Sequence, residues 1–262
     1  MYGAKVHAGK LALRLDHRDL SLKWAHEAAV LKKNFNERFW DEELSSFVLA
    51  LDGYKKPCRV KSSNAGHCLF TGIADKDKAV RLADTLLDSD MFSGWGVRTL
   101  SSSSGRYNPM SYHNGSIWPH DNALIAYGLS KYGLQKHVLE IMESIFGASL
   151  FMELQRVPEL YCGFEKRPGI GPTAYPVACS PQAWAVGAVF MLLQSCLRIN
   201  INAVNKTITF DRILLPDYFD EIHLTDLKLG DNKCSLIINR SKYGDVGFNI
   251  VYKPDDWEIV MN

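Results

Sequence analysis

Apolar residues recur at three- and four-residue spacing through most of the first 199 positions, and this is the periodicity of an amphipathic helix. A polar break at Asp16–Asp19 divides the first of these segments into a helical hairpin. Counting that hairpin, the pattern predicts about seven helices. Their predicted ranges are Tyr2–Leu15, Leu20–Phe39, Asn64–Ile73, Asp77–Leu87, Ser116–Tyr132, Gln135–Phe151 and Pro181–Leu197.

Two stretches depart from helical spacing and predict strands. Ser46–Val60 contains a β-rich run, an Asp52-Gly53 turn signal and a proline, which together predict a short β-hairpin insertion. Beyond Ile199 apolar and polar residues alternate, with turn signals at Gly230-Asp231 and Gly244-Asp245. This tail predicts a small C-terminal antiparallel β unit.

Helix pairs joined by long polar-aromatic loops predict a mainly α fold, a helical toroid in which inner and outer helices alternate and loops at one end build the site. The change of pattern predicts two domains: residues 1–199, a partial barrel, and residues 200–262, the β unit. No sequence repeat marks the helix pairs, so a plain helical bundle and an α-solenoid remain open at this point.

Composition narrows the classes of partner. The chain has 262 residues, of which 47% are hydrophobic, and this is enough for a sizeable core. Its formal net charge of +1 provides no long-range field for nucleic acid, an anionic membrane or a polyanionic substrate. A neutral ligand fits this charge best.

The N-terminal segment and the cysteines indicate the cellular compartment. The segment is too polar for a signal peptide, and no apolar run reaches the roughly 18 residues of a membrane span, so we expect a cytoplasmic protein. The six cysteines are scattered without a CxxC pair or a metal-type cluster. We therefore expect reduced, unpaired thiols and neither a metal ion nor a cofactor.

The densest run of chemically useful side chains is Tyr107–Ala126, which leads into a predicted helix. Its aromatic rings offer flat apolar faces and its histidines, amides and acid offer hydrogen bonds, a combination that suits a sugar ring. A second polar-aromatic loop, Val157–Phe164, also leads toward a long apolar helix. The two loops predict one shared cleft. The alternative is that the first run is only a well-capped core helix.

Three segments carry a family pattern: Ser62–Ala74 (SSNAGHCLFTGIA), Gly94–Leu129 (GWGVRTLSSSSGRYNPMSYHNGSIWPHDNALIAYGL) and Val157–Phe190 (VPELYCGF at its start). Together they resemble the amylo-α-1,6-glucosidase domain of bacterial glycogen debranching enzymes. The resemblance covers nearly the whole chain before Ile199. It implies an (α/α)6 barrel of the glucoamylase-like six-hairpin superfamily and hydrolysis of α-glucosidic bonds with inversion.

The resemblance implies two carboxyl groups with different roles. An inverting glycosidase needs an acid to protonate the departing oxygen and a carboxylate to take a proton from water, roughly 6.5–9.5 Å apart. Glu159 matches the family's general base, in the loop between the last two barrel helices. Taken alone, a Pro-Glu-Leu step before an aromatic residue is often only a structural turn.

The resemblance also implies side chains that hold the sugar by stacking and hydroxyl recognition. For two of these residues a purely structural role is an alternative. Arg98 could hold loops together through hydrogen bonds to backbone carbonyls, and Asp121 could cap its helix or buffer His120. The candidate substrate-binding residues are Trp95, Arg98, Tyr112, His113, Asn114, Trp118, His120 and Asp121.

The family's general acid has no counterpart in this sequence. It is an aspartate in a loop just before the sixth barrel helix, whereas MYGAKVHAGKLALRL resembles the middle and end of that helix. The chain is therefore expected to hold helices six to twelve, and neither Asp121 nor Glu165 occupies the acid position. We expect an open barrel edge that pairs with an N-terminal half or with a second copy of the chain.

Three functional hypotheses follow. The leading one is the C-terminal portion of an inverting, amylo-α-1,6-glucosidase-like hydrolase whose substrate is an α-glucan or maltooligosaccharide. The second is a non-catalytic glucan-binding or complementation fragment that keeps the pocket without the acid. The third, a purely structural helical module, predicts no affinity for glucan.

Overall fold

The computed structural model of the chain describes residues 1–261. Within this range seven α-helices are present, which agrees with the number predicted from periodicity. They are α1 (Tyr2–Arg14), α2 (Arg18–Arg38), α3 (Gly66–Thr71), α4 (Lys76–Leu86), α5 (Pro119–Lys131), α6 (Gln135–Ser149) and α7 (Ala183–Leu197). Short 3-10 turns at Ser63–Ala65 and Glu153–Gln155 accompany them.

The same residues form ten short strands. They are β1 (Trp40–Asp41), β2 (Ser46–Phe47), β3 (Ala50–Leu51), β4 (Pro57–Cys58), β5 (Ile199–Asn202), β6 (Thr207–Phe210), β7 (Glu221–Leu229), β8 (Asn232–Arg240), β9 (Val246–Tyr252) and β10 (Glu258–Met261). The pairs β1–β2 and β3–β4 are antiparallel; β3–β4 lies within the predicted hairpin region, whereas β1 precedes it. Strands β7, β8 and β9 form an antiparallel meander, and a separate three-stranded sheet has the order β10-β6-β5.

Two predictions of fold class need correction. The tail is not wholly antiparallel, because β10 pairs with β6 in parallel, with Glu258 opposite Thr207 and Met261 opposite Phe210. A mainly α class is met only in part, because from Ile199 to the end of the described range the regular elements are strands alone. The structure is better described as seven helices accompanied by small sheets.

Helix starts differ from the predicted ones at the loops that carry chemistry. Helix α5 begins at Pro119 rather than Ser116, because Trp118 is extended (φ −114°, ψ 115°) and Ile117 pairs with a neighbouring loop. Proline suits the first helical position, since its missing N–H has no intrahelical acceptor there. The late start leaves Trp118 in extended backbone just ahead of the helix.

Helix α5 is the centre of the helical core. It packs against α3, α6 and α7, and nine of its residues are buried, so its flanks are covered on several sides. Glycines allow the closest approach to α3: a Cβ at Gly128 would lie 2.5 Å from the backbone nitrogen of Phe70, and one at Gly66 would lie 2.5 Å from Ile125. This contact fixes the N-terminus of α5 beside α3.

A second hydrophobic cluster lies in the β unit, around Phe210, Leu236 and Trp257. The end of α7 joins the two clusters, because Leu193 contacts both and Leu197 is buried in the second. The β unit is therefore attached to the helices through the C-terminal turns of α7.

Large apolar side chains remain exposed on the first and last helices. On α7, Val186 is 50% and Phe190 69% exposed, and on α1 Leu11 is 60% exposed. Isolated exposed apolar residues are common, but a row along one helix face marks a surface that packs against another structure. The predicted open barrel edge requires such faces.

Two further properties concern residues 1–261. None of the helices they form is both long and apolar enough to cross a membrane. In the same range, histidine, cysteine and acidic side chains do not gather in groups of three or more around a potential metal ion. All six cysteines are free thiols.

Candidate active site

The loops ahead of α5 and α7 are held together by a short backbone ladder. Ile117 and Tyr161 exchange two hydrogen bonds of 2.9 and 3.0 Å, and Thr99 donates to the carbonyl of Ser116 at 2.9 Å. Buried Asn122, on α5, bonds both the N–H and the carbonyl of Val97. The two polar-aromatic loops of the sequence thus lie side by side.

Glu159 is fixed by hydrogen bonds to both carboxylate oxygens. The hydroxyl of Tyr112 donates to Oε1 at 2.5 Å, and the backbone N–H of Cys179 donates to Oε2 at 3.2 Å. The N–H of Glu159 in turn donates to the carbonyl of Cys179 at 2.9 Å. The side chain is only 6% exposed, so these contacts set both its position and its plane.

These contacts keep Glu159 ionised. The hydrogen bond from Tyr112 is the main cause that lowers the pKa of Glu159, against the opposing effect of burial, and the N–H of Cys179 lowers it further. The same contact raises the pKa of Tyr112 to about 12, so its hydroxyl stays protonated as a donor. A buried carboxylate held in its charged form is suited to accept a proton.

A cleft of about 360 Å³ opens where α5 and α7 begin. Five of the predicted sugar-binding residues line it, and they are Tyr112, His113, Trp118, His120 and Asp121. Because Tyr112 also donates to Glu159, the carboxylate lies directly behind the cleft wall. Glu159 does not itself line the cleft, and Tyr112 is the residue that connects the two.

Aromatic rings surround Trp118 in the cleft. The ring of Tyr112 meets Trp118 edge-on with centroids 4.8 Å apart, and the indole N–H of Trp118 donates to Ser116 Oγ at 2.9 Å. His120 stacks on Trp184 with a centroid distance of 4.5 Å. Burial lowers the pKa of His120, which keeps this imidazole neutral near pH 7. Flat, mostly uncharged surfaces of this kind suit the C–H faces of a sugar.

Asp121 forms an ion pair with His67, a residue of α3. Asp121 Oδ1 contacts His67 Nε2, and the carboxylate is 7% exposed, in the first turn of α5. The hydrogen bond that His67 donates to Asp121 is the main cause that raises the pKa of His67, and burial opposes it. This pair links α3 to the N-terminus of α5, where Asp121 lines the cleft.

Three other predicted site residues lie elsewhere. Arg98 is fully buried and donates to the backbone carbonyls of Gly163 at 2.8 Å and Ser89 at 3.0 Å. Trp95 is 3% exposed and meets Phe151 edge-on, and Asn114 is exposed at the loop surface. The structure thus gathers five of the eight predicted sugar-binding residues and Glu159, while these three face other surroundings.

A model described as the mannosylglycerate hydrolase MGH1-like glycoside hydrolase domain matches residues 1–155. This match covers more than half of the chain. The chain belongs to the MGH1-like glycoside hydrolase family. The matched range includes all of the residues that line the cleft except Trp184, while Glu159 lies four residues beyond it.

Solved structures support the same fold for this MGH1-like chain. A GH63 mannosylglycerate hydrolase from Thermus thermophilus, in complex with glucose, shares 20% identity over 74% of the chain, with a TM-score of 0.55. A GH78 rhamnosidase from Bacillus sp. GL1 shares 15% over 99%, with a TM-score of 0.68. Neutral trehalase Nth1 from Saccharomyces cerevisiae shares 15% over 74%, with a TM-score of 0.57.

At these identities the similarity shows the fold alone, which is the six-hairpin glycosidase fold of α/α-toroid enzymes. The chain spans 45%, 26% and 36% of the three proteins, respectively. No curated protein sequence matches the chain. The more specific resemblance to amylo-α-1,6-glucosidases is therefore a matter for proposal.

Sequence reasoning did not single out four residues of the MGH1-like cleft. Ser63, Asn64 and Thr99 line it, and Trp184 forms its far wall on α7. His67 is a fifth omission, because its partner Asp121 is 54 positions away. Ser63, Asn64 and His67 stand in the quoted segment SSNAGHCLF, so the family pattern was the available signal. Nothing in the spacing of Trp184 separates it from an ordinary core tryptophan.

Replacing His67 with glutamine is expected to remove a pH-dependent part of the stability. The folded state binds the His67 proton more tightly than the unfolded state, whose pKa lies near 6.5. This contribution is complete below the unfolded pKa and is lost as pH rises through the raised folded pKa. Because the imidazole is partly exposed, we expect about 1 kcal/mol. Urea unfolding of both proteins at several pH values from 5 to 9 measures it, and a pH-independent difference contradicts it.

Replacing Tyr112 with phenylalanine is expected to raise the pKa of Glu159, because the variant lacks the main contact that lowers it. In any active preparation the acidic limb of the pH–rate profile then moves to higher pH. Carbon-13 NMR titration of glutamate-labelled protein measures the same shift without activity. Tyr175→Phe is the matched control, since that ring lies 5.6 Å from Tyr112. An unchanged Glu159 titration in the Tyr112 variant contradicts the assignment.

Proposed function

We propose that the chain provides the general-base side of an inverting glycoside hydrolase, with Glu159 as the base and an α-glucan or maltooligosaccharide as the substrate. The observation that carries the proposal is the buried carboxylate of Glu159, which is held ionised beside an aromatic cleft by Tyr112 and Cys179. Membership of a glycoside hydrolase family supports hydrolysis as the reaction class.

In the proposed reaction, a water molecule attacks the anomeric carbon on the face opposite the leaving group. Glu159 takes one proton from that water as the new C–O bond forms, while an acid protonates the departing glycosidic oxygen. The two hydrogen bonds that orient the Glu159 carboxylate limit its motion and so aim it at one water position. The product sugar has the opposite anomeric configuration.

The cleft residues are proposed to bind the sugar that is cleaved. Trp118 and Trp184 supply flat faces, and His113, His120 and Asp121 supply hydrogen-bonding groups. The free carboxylate oxygen of Asp121 is available to a hydroxyl, because His67 contacts only Oδ1. Trp95, Arg98 and Asn114 do not line the cleft, so the proposal gives them no direct contact with this sugar.

The general acid is proposed to come from a helical partner that completes the toroid. The exposed residues Val186 and Phe190 on α7 and Leu11 on α1 are the faces against which such a partner packs. Trp184 lies on the first turn of α7, so a partner on that helix also covers the cleft. The same proposal divides the chain into a partial barrel, residues 1–199, and a β unit, residues 200–262. It also includes a cytoplasmic location.

A second candidate function is a non-catalytic glucan-binding or complementation fragment. The pairing of Asp121 with His67 favours it, because Asp121 is the one acidic residue that lines the cleft within residues 1–261 and its Oδ1 is already engaged by a histidine. This candidate predicts sugar binding without hydrolysis by the chain alone.

The test is glucose release from a branched maltodextrin, with mannosylglycerate as a second substrate because of the family match. The chain is assayed alone and together with the N-terminal half of a six-hairpin glycosidase. Release that requires Glu159 supports the proposal, and release only on mixing places the acid in the partner. Binding without release under both conditions supports the second candidate, and neither binding nor release contradicts both.

A further inference from the structure

A second cavity, of about 530 Å³, lies beside the base loop and shares no lining residue with the cleft. Its walls include Tyr107 and Phe164, the hydroxyl-bearing residues Ser102 and Thr173, and the guanidinium of Arg98. No role in the proposed hydrolysis uses this cavity. It combines aromatic faces, hydroxyl groups and cationic side chains in one place.

The backbone explains why the cleft and the cavity are separate. Arg98 pairs with Ile117 in an antiparallel bridge, so the segment around it is extended. Successive side chains of an extended segment point to opposite faces. Thr99 accordingly lines the cleft and Arg98 lines the second cavity.

Arg98 has donor groups that the protein leaves unused. Its side chain is 1% exposed, and Nε and Nη1 donate to backbone carbonyls at 2.8 and 3.0 Å. Among residues 1–261, the nearest carboxylate oxygen to Nη2 belongs to Glu165, at 3.9 Å, which is beyond hydrogen-bond distance. In the part of the chain that the structure describes, no acceptor lies within hydrogen-bond distance of Nη2, so this nitrogen can donate to an anionic ligand that enters the cavity.

The charges around the cavity favour an anion. Arg98, Lys166 and Arg167 line it together with one carboxylate, that of Glu165. Glu165 is 78% exposed, so its carboxylate is free to swing away from Arg98. A ligand carboxylate that replaces it keeps the guanidinium paired and gains a charge-assisted hydrogen bond.

The geometry points to a second binding site, centred on Arg98, that takes a small sugar bearing a carboxylate. The carboxylate meets Nη2 of Arg98 and displaces Glu165, while the ring lies against Tyr107 and Phe164. The site is linked to the candidate base, because the carbonyl of Gly163 accepts hydrogen bonds from both Arg98 and Tyr107, four residues after Glu159. Binding here does not depend on hydrolysis in the cleft.

Calorimetry with D-glucuronate and its neutral counterpart D-glucuronamide tests the charge requirement. We expect glucuronate to bind at least about tenfold more tightly, since one charge-assisted hydrogen bond is at stake. Raising the salt concentration reduces the difference. Equal affinity for the two compounds, or no binding of either, overturns the proposal.

Two variants locate the bound carboxylate. Glu165→Gln removes the competing carboxylate and is expected to tighten glucuronate binding several-fold, whereas Arg98→Lys weakens it at least about tenfold. If Arg98→Lys fails to fold, the Glu165 variant decides alone. Trp118→Ala, in the cleft, is the matched control and leaves glucuronate affinity unchanged. Loss of glucuronate binding in the Trp118 variant, or no gain in the Glu165 variant, contradicts a separate site at Arg98.

Discussion

Replacing Glu159 with glutamine is expected to reduce turnover by about 10²–10⁴-fold in any preparation of this protein that hydrolyses a glycan, which is the usual range for a lost general base. The amide is nearly the same size as the carboxylate but does not take a proton from water. Sugar binding is therefore expected to persist while kcat falls. The measurement is glucose release at saturating substrate, together with calorimetric affinity for a maltooligosaccharide.

Glu153→Gln is the matched control for that experiment. Glu153 is exposed in the 3-10 turn six residues before Glu159, so the same chemical change is made outside the cleft. We expect this variant to keep the wild-type rate. Turnover that survives in the Glu159 variant contradicts the assignment of Glu159 as the general base. Equal losses in both variants indicate a nonspecific effect of the substitution.

Replacing Gly163 with alanine is expected to destabilise the protein by about 3 kcal/mol or more, the upper part of the range for overpacking. A Cβ at this position would lie 1.7 Å from the carbonyl oxygen of Gly115, which is backbone and has no rotamer to change. The clash lies where the base loop packs on the loop before α5, so we expect Glu159 and Tyr112 to lose their contact as well. Urea unfolding and the Glu159 titration measure the two effects.

Gly187→Ala is the control for the Gly163 variant. Gly187 is inside α7, and a Cβ there meets nothing within 4 Å. Alanine is a better helix former than glycine, so this variant is expected to gain about 0.5–1 kcal/mol of stability. A Gly163 variant as stable as the wild type means that the two loops do not pack as described.

Local patterns predicted the helices because the signal for a helix is contained within the helix itself. The hairpin of α1 and α2 and the helices α5 and α6 follow directly from the spacing of apolar residues. The start of α5 did not follow, because the pairing of Ile117 with Tyr161 is a contact between distant segments. The parallel pairing of β6 with β10 is non-local in the same way, and alternation within a strand carries no information on its partner.

The candidate site likewise contains some residues that local sequence could place together and others that only tertiary contacts bring there. Tyr112, Trp118 and His120 are close in sequence, and the turn that leads into α5 brings them to one cleft. Trp184 reaches that cleft, and His67 reaches Asp121, only because α7 and α3 pack on α5, which depends on tertiary contacts such as those at Gly66 and Gly128.

Arg98 shows the limit of reading a motif. The motif places an arginine near the pocket, and both sugar binding and loop pinning are consistent with that sequence. The alternation of side chains along an extended backbone puts Thr99 in the cleft and Arg98 behind it, against the carbonyl of Gly163. Only the paired backbone decides which face each residue takes.

The measurement that tests the central claim most directly is calorimetric titration of the purified chain with maltotriose, run beside Trp118→Ala. It requires neither the general acid nor a partner, so it examines the cleft alone. The account predicts measurable binding that is lost in the Trp118 variant, whose cleft lacks its central aromatic face. Binding that is absent from the wild-type chain, or unchanged by Trp118→Ala, would contradict a sugar site in this cleft.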